Sequence, residues 1–204
     1  PRLPDPWASN IRLEVVCTIA AMWTNCLQVG ISQPMFCDDD SISPFYRAPP
    51  SAGADQQAEE SRVRTVQSIF KTLKPDLRPI KEQITHMHHP VVDCLPFPSL
   101  RRNVLVGTAA AVFDEDEMCE DLLDGLICWG RAGGSGVSRR DLNAATGHAP
   151  SHAGAPWDSR SWQAKPWFLR KYWALLGGED GELVRQSEWW RSVRGEEEDI
   201  WASA

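Results

Sequence analysis

The sequence predicts a mainly α fold: a compact, aromatic-rich helical domain with long loops and no substantial sheet. Three observations carry this expectation. Apolar residues recur at the i, i+3, i+4, i+7 spacing of a single helix face in several segments. No run alternates apolar and polar residues as a half-buried strand would. The chain holds ten tryptophans, eight of them from Trp129 onward, and rings of that size require a packed core. At 204 residues, with 42% hydrophobic and 24% charged residues, the chain is long enough for one such core and too apolar for wholesale disorder.

The first helix is expected over 9–30, capped by Ser9, with Val16, Ala20, Trp23 and Leu27 on its face and Gly30 as its stop. Residues 32–60 turn polar (Asp38-Asp39-Asp40, Pro44, Pro49-Pro50, Gly53) and read as a loop partly anchored by Pro44-Phe45-Tyr46. A second amphipathic helix spans about 58–73, with Val63, Val66, Phe70 and Leu73 inward, until Pro75 and Pro79 end it. In the centre Pro90, Pro96 and Pro98 punctuate the apolar run from Val91 to Phe97 and exclude a central strand and a long helix alike. Pro98 suits the first position of a helix reaching about Val112 through Leu100, Val104, Leu105 and Thr108. Asp114 and Glu117 have the spacing of a capping box. The helix they open presents Cys119, Leu122, Leu123 and Leu126, with Gly125 where it stops.

Residues 131–155 break the pattern, with five glycines, six alanines and three serines but only Val137 and Leu142 as larger aliphatics. Such a segment buries too little to order itself, so it is expected as a disordered insertion foreign to the fold. Its size also fits a short unspliced intron. Order resumes at Pro156-Trp157-Asp158. One helix runs from Pro166 to Leu176 with Leu169, Trp173 and Leu176 inward, and Gly177-Gly178 stops it. A last helix, 181–194, presents Leu183, Gln186, Trp190 and Val193. The chain thus divides into 9–130, the insertion 131–155, a stretch 156–195 that completes the same domain, and an acidic tail, 196–204. Trp23, Phe97, Trp129, Trp162, Trp173 and Trp190 are expected in the core. Alanine at a fully buried Trp173 would cost ~3–5 kcal/mol.

Composition narrows the function. With 21 Lys and Arg against 28 Asp and Glu the net charge is −7, which opposes a surface built to hold phosphates. Arg101-Arg102, Arg170-Lys171 and Arg191 with Arg194 lie among aromatic residues, as in single-strand binders. They are scattered and outweighed by acid, so cation–π packing and helix C-terminal charge explain them better. No direct DNA binding is expected from this segment. The longest apolar run, Val15 to Trp23, falls well short of the ~20 residues of a membrane span, so no membrane partner is expected. Six cysteines (Cys17, Cys26, Cys37, Cys94, Cys119, Cys128) include no C-x-x-C and read as buried free thiols of a reducing compartment. The first residue, Pro1, marks a fragment or processed product; an intracellular, soluble chain is expected.

Reactive chemistry is sparse. His86 and His89 have a usable helical spacing, and Cys94 or Cys119 would be a third metal ligand. Against this, His89-Pro90 reads as a helix terminus whose imidazoles bond free carbonyls, and no second ligand pair has metal spacing. The stretch Asp114 to Asp124 carries seven carboxylates and no basic residue. Paired carboxylates serve acid–base chemistry or hold hard cations, and acids interleaved with Phe113, Met118, Leu122 and Trp129 resemble an activation segment. The helical placement of its apolar residues favours the solvated face of a capped helix. P-loop, G-x-G-x-x-G, G-x-S-x-G and H-E-x-x-H motifs are absent. No catalytic residue and no cofactor is assigned.

His88-His89-Pro90, Asp93, Pro96-Phe97-Pro98 and Arg101 resemble the signature of a fungal domain of unknown function found C-terminal to the basic region of basic-leucine-zipper-like transcription factors. The likeness continues through Phe113-Asp114-Glu115-Asp116-Glu117, Gly125-Leu126-Ile127, Trp129-Gly130, Pro156-Trp157-Asp158 and Trp162. It ends at Phe168-Leu169-Arg170-Lys171, Trp173 and Trp190-Arg191, and upstream Asn25, Gly30 and Ser43-Pro44-Phe45 also fit. It covers about 10–195. Two departures stand out: Val91 occupies a position where the family has tryptophan, and 25 residues separate Trp129-Gly130 from Pro156 where the family runs almost directly on. The resemblance implies a nuclear regulatory or interaction domain with an unidentified protein partner, the transcriptional machinery being the candidate. The basic region and leucine heptads that would read DNA are not in this sequence. The alternatives are a metal-dependent enzyme using His86 and His89, a hydrolase by preference, and a small-ligand-sensing helical module.

Overall fold

The computed structural model describes residues 15–49, 56–129 and 155–196. The Ser9 cap, residues 131–154 of the insertion and the tail beyond Glu196 lie outside the described residues. The fold is mainly α, as the sequence predicts, with one small antiparallel sheet.

Strand β1 (Val15–Val16) precedes helix α1 (Thr18–Val29), so the first helix starts later than the pattern over 9–30 implies. The two valines pair instead with a later strand, and the Thr18 hydroxyl donates to the Leu126 carbonyl at 2.8 Å. Gly30 ends α1 with φ 87°, a left-handed conformation that glycine adopts without a Cβ penalty. The buried face is Ala21, Met22, Asn25, Cys26 and Val29, whereas Leu27 is exposed and Trp23 half-buried. Helix α1 is apolar nearly all round, so tertiary packing chooses the inward face and periodicity does not.

A short helix α2 (Gln33–Cys37) interrupts the expected loop. Helix α3 (Gln56–Ile69) buries Val63 and Val66 against Ile84 of α4 (Lys81–Thr85), with Phe70 alongside. The prolines then act as expected. Pro90–Cys94 forms a wholly buried 3₁₀ turn, and Pro98 opens α5 (Pro98–Ala109). Asp114 Oδ1 accepts the Glu117 N–H at 2.9 Å to begin α6 (Glu115–Gly125), which buries Met118 and Leu122 while Leu123 faces out.

Leu126, expected on that helix face, instead begins β2 (Leu126–Trp129). Strand β2 lies between β1 and β3 (Trp162–Ala164), with Val16 and Trp162 both opposite Cys128. A 3₁₀ turn, Ser159–Ser161, leads into β3. Helix α7 (Pro166–Lys171) is shorter than expected; the chain continues as turns to Leu176, and α8 (Glu182–Val193) closes the fold over β3.

The core joins α1, the 90–94 turn, α5, the sheet and α7. Phe97, Trp162 and Trp190 are buried as expected, but Trp23, Trp129 and Trp173 are only half-buried. The cost reckoned for a fully buried Trp173 therefore does not apply. Cys26, Cys94 and Cys128 are buried thiols, whereas Cys17 and Cys37 are exposed, which corrects the expectation for those two. Among the described residues no helix is long and apolar enough to cross a membrane.

Gly125 lets the end of α6 lie against Phe168 of α7. A Cβ there would overlap Cδ2 of Phe168, whose ring is fully buried. Gly125→Ala is expected to destabilise the fold by about 1–3 kcal/mol through overpacking, read from the urea midpoint.

Candidate functional site

The residues of the central motif meet in one buried polar network. The Asp93 carboxylate has no exposed surface. Its Oδ1 accepts from Gln83 Nε2 at 2.6 Å and lies 2.9 Å from His88 Nε2; its Oδ2 accepts from the Ser43 hydroxyl at 2.7 Å. Ser43 Oγ in turn accepts the Phe45 N–H, and Gln83 Oε1 accepts the Ile80 N–H. Three chain segments are thereby fastened to the 90–94 turn. Buried polar groups need such partners, and here each supplies one to another.

The network is built for holding, and the geometry says why. His88 Nδ1 lies 2.8 Å from the His86 carbonyl, which can only accept, so Nδ1 donates. Nε2 is committed to Asp93. Both ring nitrogens are thus engaged within the protein. The Ser43 hydroxyl donates to Asp93 Oδ2 and accepts the Phe45 N–H, so it too is engaged inside the network.

Arg101 lies fully buried on α5, with Nη1 donating to the Leu95 carbonyl (3.1 Å) and Nη2 to the Arg78 carbonyl (2.9 Å). Burial pulls its guanidinium down to about 10, against the stabilising charges of Asp93, Asp76 and Glu182. Its task is to tie the 78 and 95 backbones together.

The three candidate metal ligands are not gathered. His86 Nδ1 donates to the Glu82 carbonyl at 3.2 Å. His89 Nδ1 accepts the Val91 N–H, leaving Nε2 to donate to the Asp38 carbonyl at 3.2 Å. Cys94 turns inward to Cys26. Among the described residues no group of three or more His, Cys, Asp and Glu side chains is placed to hold a metal ion. A cavity of about 160 Å³ is lined by His86, Met87, His88, Leu105, Thr108 and Ala109.

The remaining motif residues also act as fasteners. The buried Asn25 amide donates to the Cys94 and Pro156 carbonyls (2.8 and 2.9 Å), and Trp162 Nε1 donates to the same Pro156 oxygen at 2.7 Å. Asp158 caps the 159–161 turn and pairs with Arg160 at 2.7 Å, while the Lys74 ammonium sits 5.1 Å over the Trp157 ring. Trp129 packs on Trp190 with ring centroids 5.4 Å apart, beneath the Arg194 guanidinium at 4.9 Å, the cation–π role expected of that arginine. Phe168 and Leu169 are buried. Lys171 bridges Glu117 and Asp121, and the Tyr172 hydroxyl donates to Asp121 at 2.8 Å. The Lys171 ammonium holds the Asp121 carboxyl below its ordinary range, and burial raises the Tyr172 phenol to about 12. The acidic helix α6 is thus partly neutralised by α7, with Lys165 on Asp124 as a further pair at 2.8 Å.

Sequence reasoning placed His88 and Asp93 in a motif but missed Gln83, Asn25 and Cys26 as partners. A family model described as "Domain of unknown function (DUF3425)" matches residues 56–184, from the start of α3 into α8. No curated protein and no solved structure matches the chain.

Proposed function

The chain belongs to that family of domains of unknown function, and on this premise we propose that it is a regulatory or protein-interaction domain of a fungal basic-leucine-zipper-like transcription factor, without DNA-reading capacity of its own. One observation carries the reading. In the central motif His88, Asp93 and both terminal nitrogens of Arg101 are engaged in internal hydrogen bonds, which supports a scaffold role for the motif. Function then falls to the surface, where Trp189 and Val193 of α8 stand about half exposed. Exposed aromatic and aliphatic groups of this kind suit protein contact. A nuclear location and the transcriptional machinery as partner follow from the same reading.

The test is to tether the domain to an unrelated DNA-binding module above a reporter. Output should change, and Trp189→Ala should diminish the change while leaving the circular dichroism spectrum intact. A stoichiometric, chelator-sensitive metal with hydrolytic turnover in the purified protein would overturn the reading in favour of an enzyme. The cavity beside His86 and His88, at about 160 Å³, is below the ~300–1,000 Å³ of ordinary ligand sites and does not itself support the small-ligand alternative.

DNA binding offers a separate check. At net charge −7, with Arg101 buried and Arg102 paired to Glu82 at 3.2 Å, acids outweigh the cations and little counterion release is expected. Fluorescence anisotropy with labelled duplexes at physiological salt should give no sequence-dependent binding below micromolar concentration.

A further inference from the structure

Cys26 of α1 and Cys94 at the end of the 90–94 turn set their sulfurs 2.9 Å apart, with neither residue exposed. Carbon atoms in contact rest at ~3.5–4.0 Å and sulfur is larger, whereas an S–S bond is about 2.05 Å long, so the pair stands between contact and bond. The approach is imposed by the backbone. Asn25, adjacent to Cys26, donates to the Cys94 carbonyl at 2.8 Å, and Cys94 sits in the buried 3₁₀ turn with its thiol also within 3.5 Å of the Pro90 carbonyl. The mutual hydrogen bond with Cys26, then burial, raises the Cys94 thiol well above its ordinary range, so at rest the proton stays on sulfur.

We propose that Cys26 and Cys94 form a two-electron redox site that closes to an intramolecular disulfide when a peroxide reaches the core. One sulfur attacks a peroxide oxygen; the O–O bond breaks, and the departing hydroxide takes that thiol's proton as water. The resulting sulfenic sulfur is attacked by the second sulfur. The S–S bond forms, the S–O bond breaks, and the second proton leaves in a second water. Two thiols and one hydrogen peroxide become one disulfide and two waters. Burial makes the first step slow, so brief exposure modifies Cys17 and Cys37 first, and the core pair responds to sustained oxidant. The closed loop joins α1 to the turn that carries Asp93, across 68 positions of chain.

The test treats the purified, folded chain with hydrogen peroxide below its melting temperature. It is then denatured, alkylated and digested without reductant for mass spectrometry. A Cys26–Cys94 cross-linked peptide pair is expected. The melting temperature should rise by roughly 5–10 °C, reversed by dithiothreitol, as a long closed loop restricts the unfolded chain. Cys26→Ser should abolish both effects. If that variant does not fold, the cross-link in the unaltered chain decides. Full alkylation of Cys26 and Cys94 while Cys17 and Cys37 are oxidised would overturn the proposal. A cross-link to any other cysteine would do the same.

Discussion

Asp93→Ala is expected to destabilise the protein by about 3–5 kcal/mol, read from the urea midpoint at constant slope. The carboxylate accepts from Ser43 and Gln83 and pairs with His88, all of them buried. Truncation strands all three without water to replace the lost acceptor, and an unsatisfied buried polar group costs about 1–3 kcal/mol by itself. The loss would be a large part of the ~5–15 kcal/mol that holds a typical domain together. Asp93→Asn keeps one acceptor oxygen and should lose roughly half as much. A change below about 1 kcal/mol for the alanine variant would mean that the three donors find other partners and that the network is not the hub of this region.

Trp162→Ala should cost a similar ~3–5 kcal/mol and remove much of the near-ultraviolet circular dichroism. The indole has no exposed surface, packs edge-on to Phe97 with centroids 6.4 Å apart, and donates to the Pro156 carbonyl. Trp162→Phe separates the contributions. It retains most of the packing and loses the N–H donor, for a cost of about 1–2 kcal/mol. Equal losses in the two variants would place the energy in the hydrogen bond and contradict a packing role.

What could be read from the sequence was whatever leaves a local mark. Pro98, the Asp114 cap, Gly30 and the Val63/Val66 face each act within a turn of their own position, and each was legible. Strands β1 and β3 are two and three residues long, and β1 finds its partner Trp129 more than half the chain away, so no periodic signal announces them. The inward face of α1 was misassigned because both candidate faces are apolar. At the site, His88, Asp93 and Arg101 came from the resemblance, while Gln83 sits in an unremarkable helix and gains meaning only from the 90–94 turn packing on it. Cation–π packing or helix C-terminal charge is what the sequence suggests for Arg101, and charge alone does not reveal its full burial. A network assembled from positions 43, 83, 88 and 93 is a property of the folded chain rather than of any window in it.

The Pro156 carbonyl, clamped by Asn25 and Trp162, bears on how this chain tolerates change in length. On one side Trp129 is locked by strand pairing and by its Nε1 donating to Gln163 at 2.9 Å; on the other, two donors from separate elements seize the backbone at re-entry. Both ends of the intervening stretch are anchored by groups outside it, so its composition and length place no demand on strand register. A single residue added between Pro156 and Trp162 would drag the indole away from its acceptor and β3 out of step. Evolutionary drift in length should therefore collect on the amino-terminal side of that carbonyl and be purged on the other.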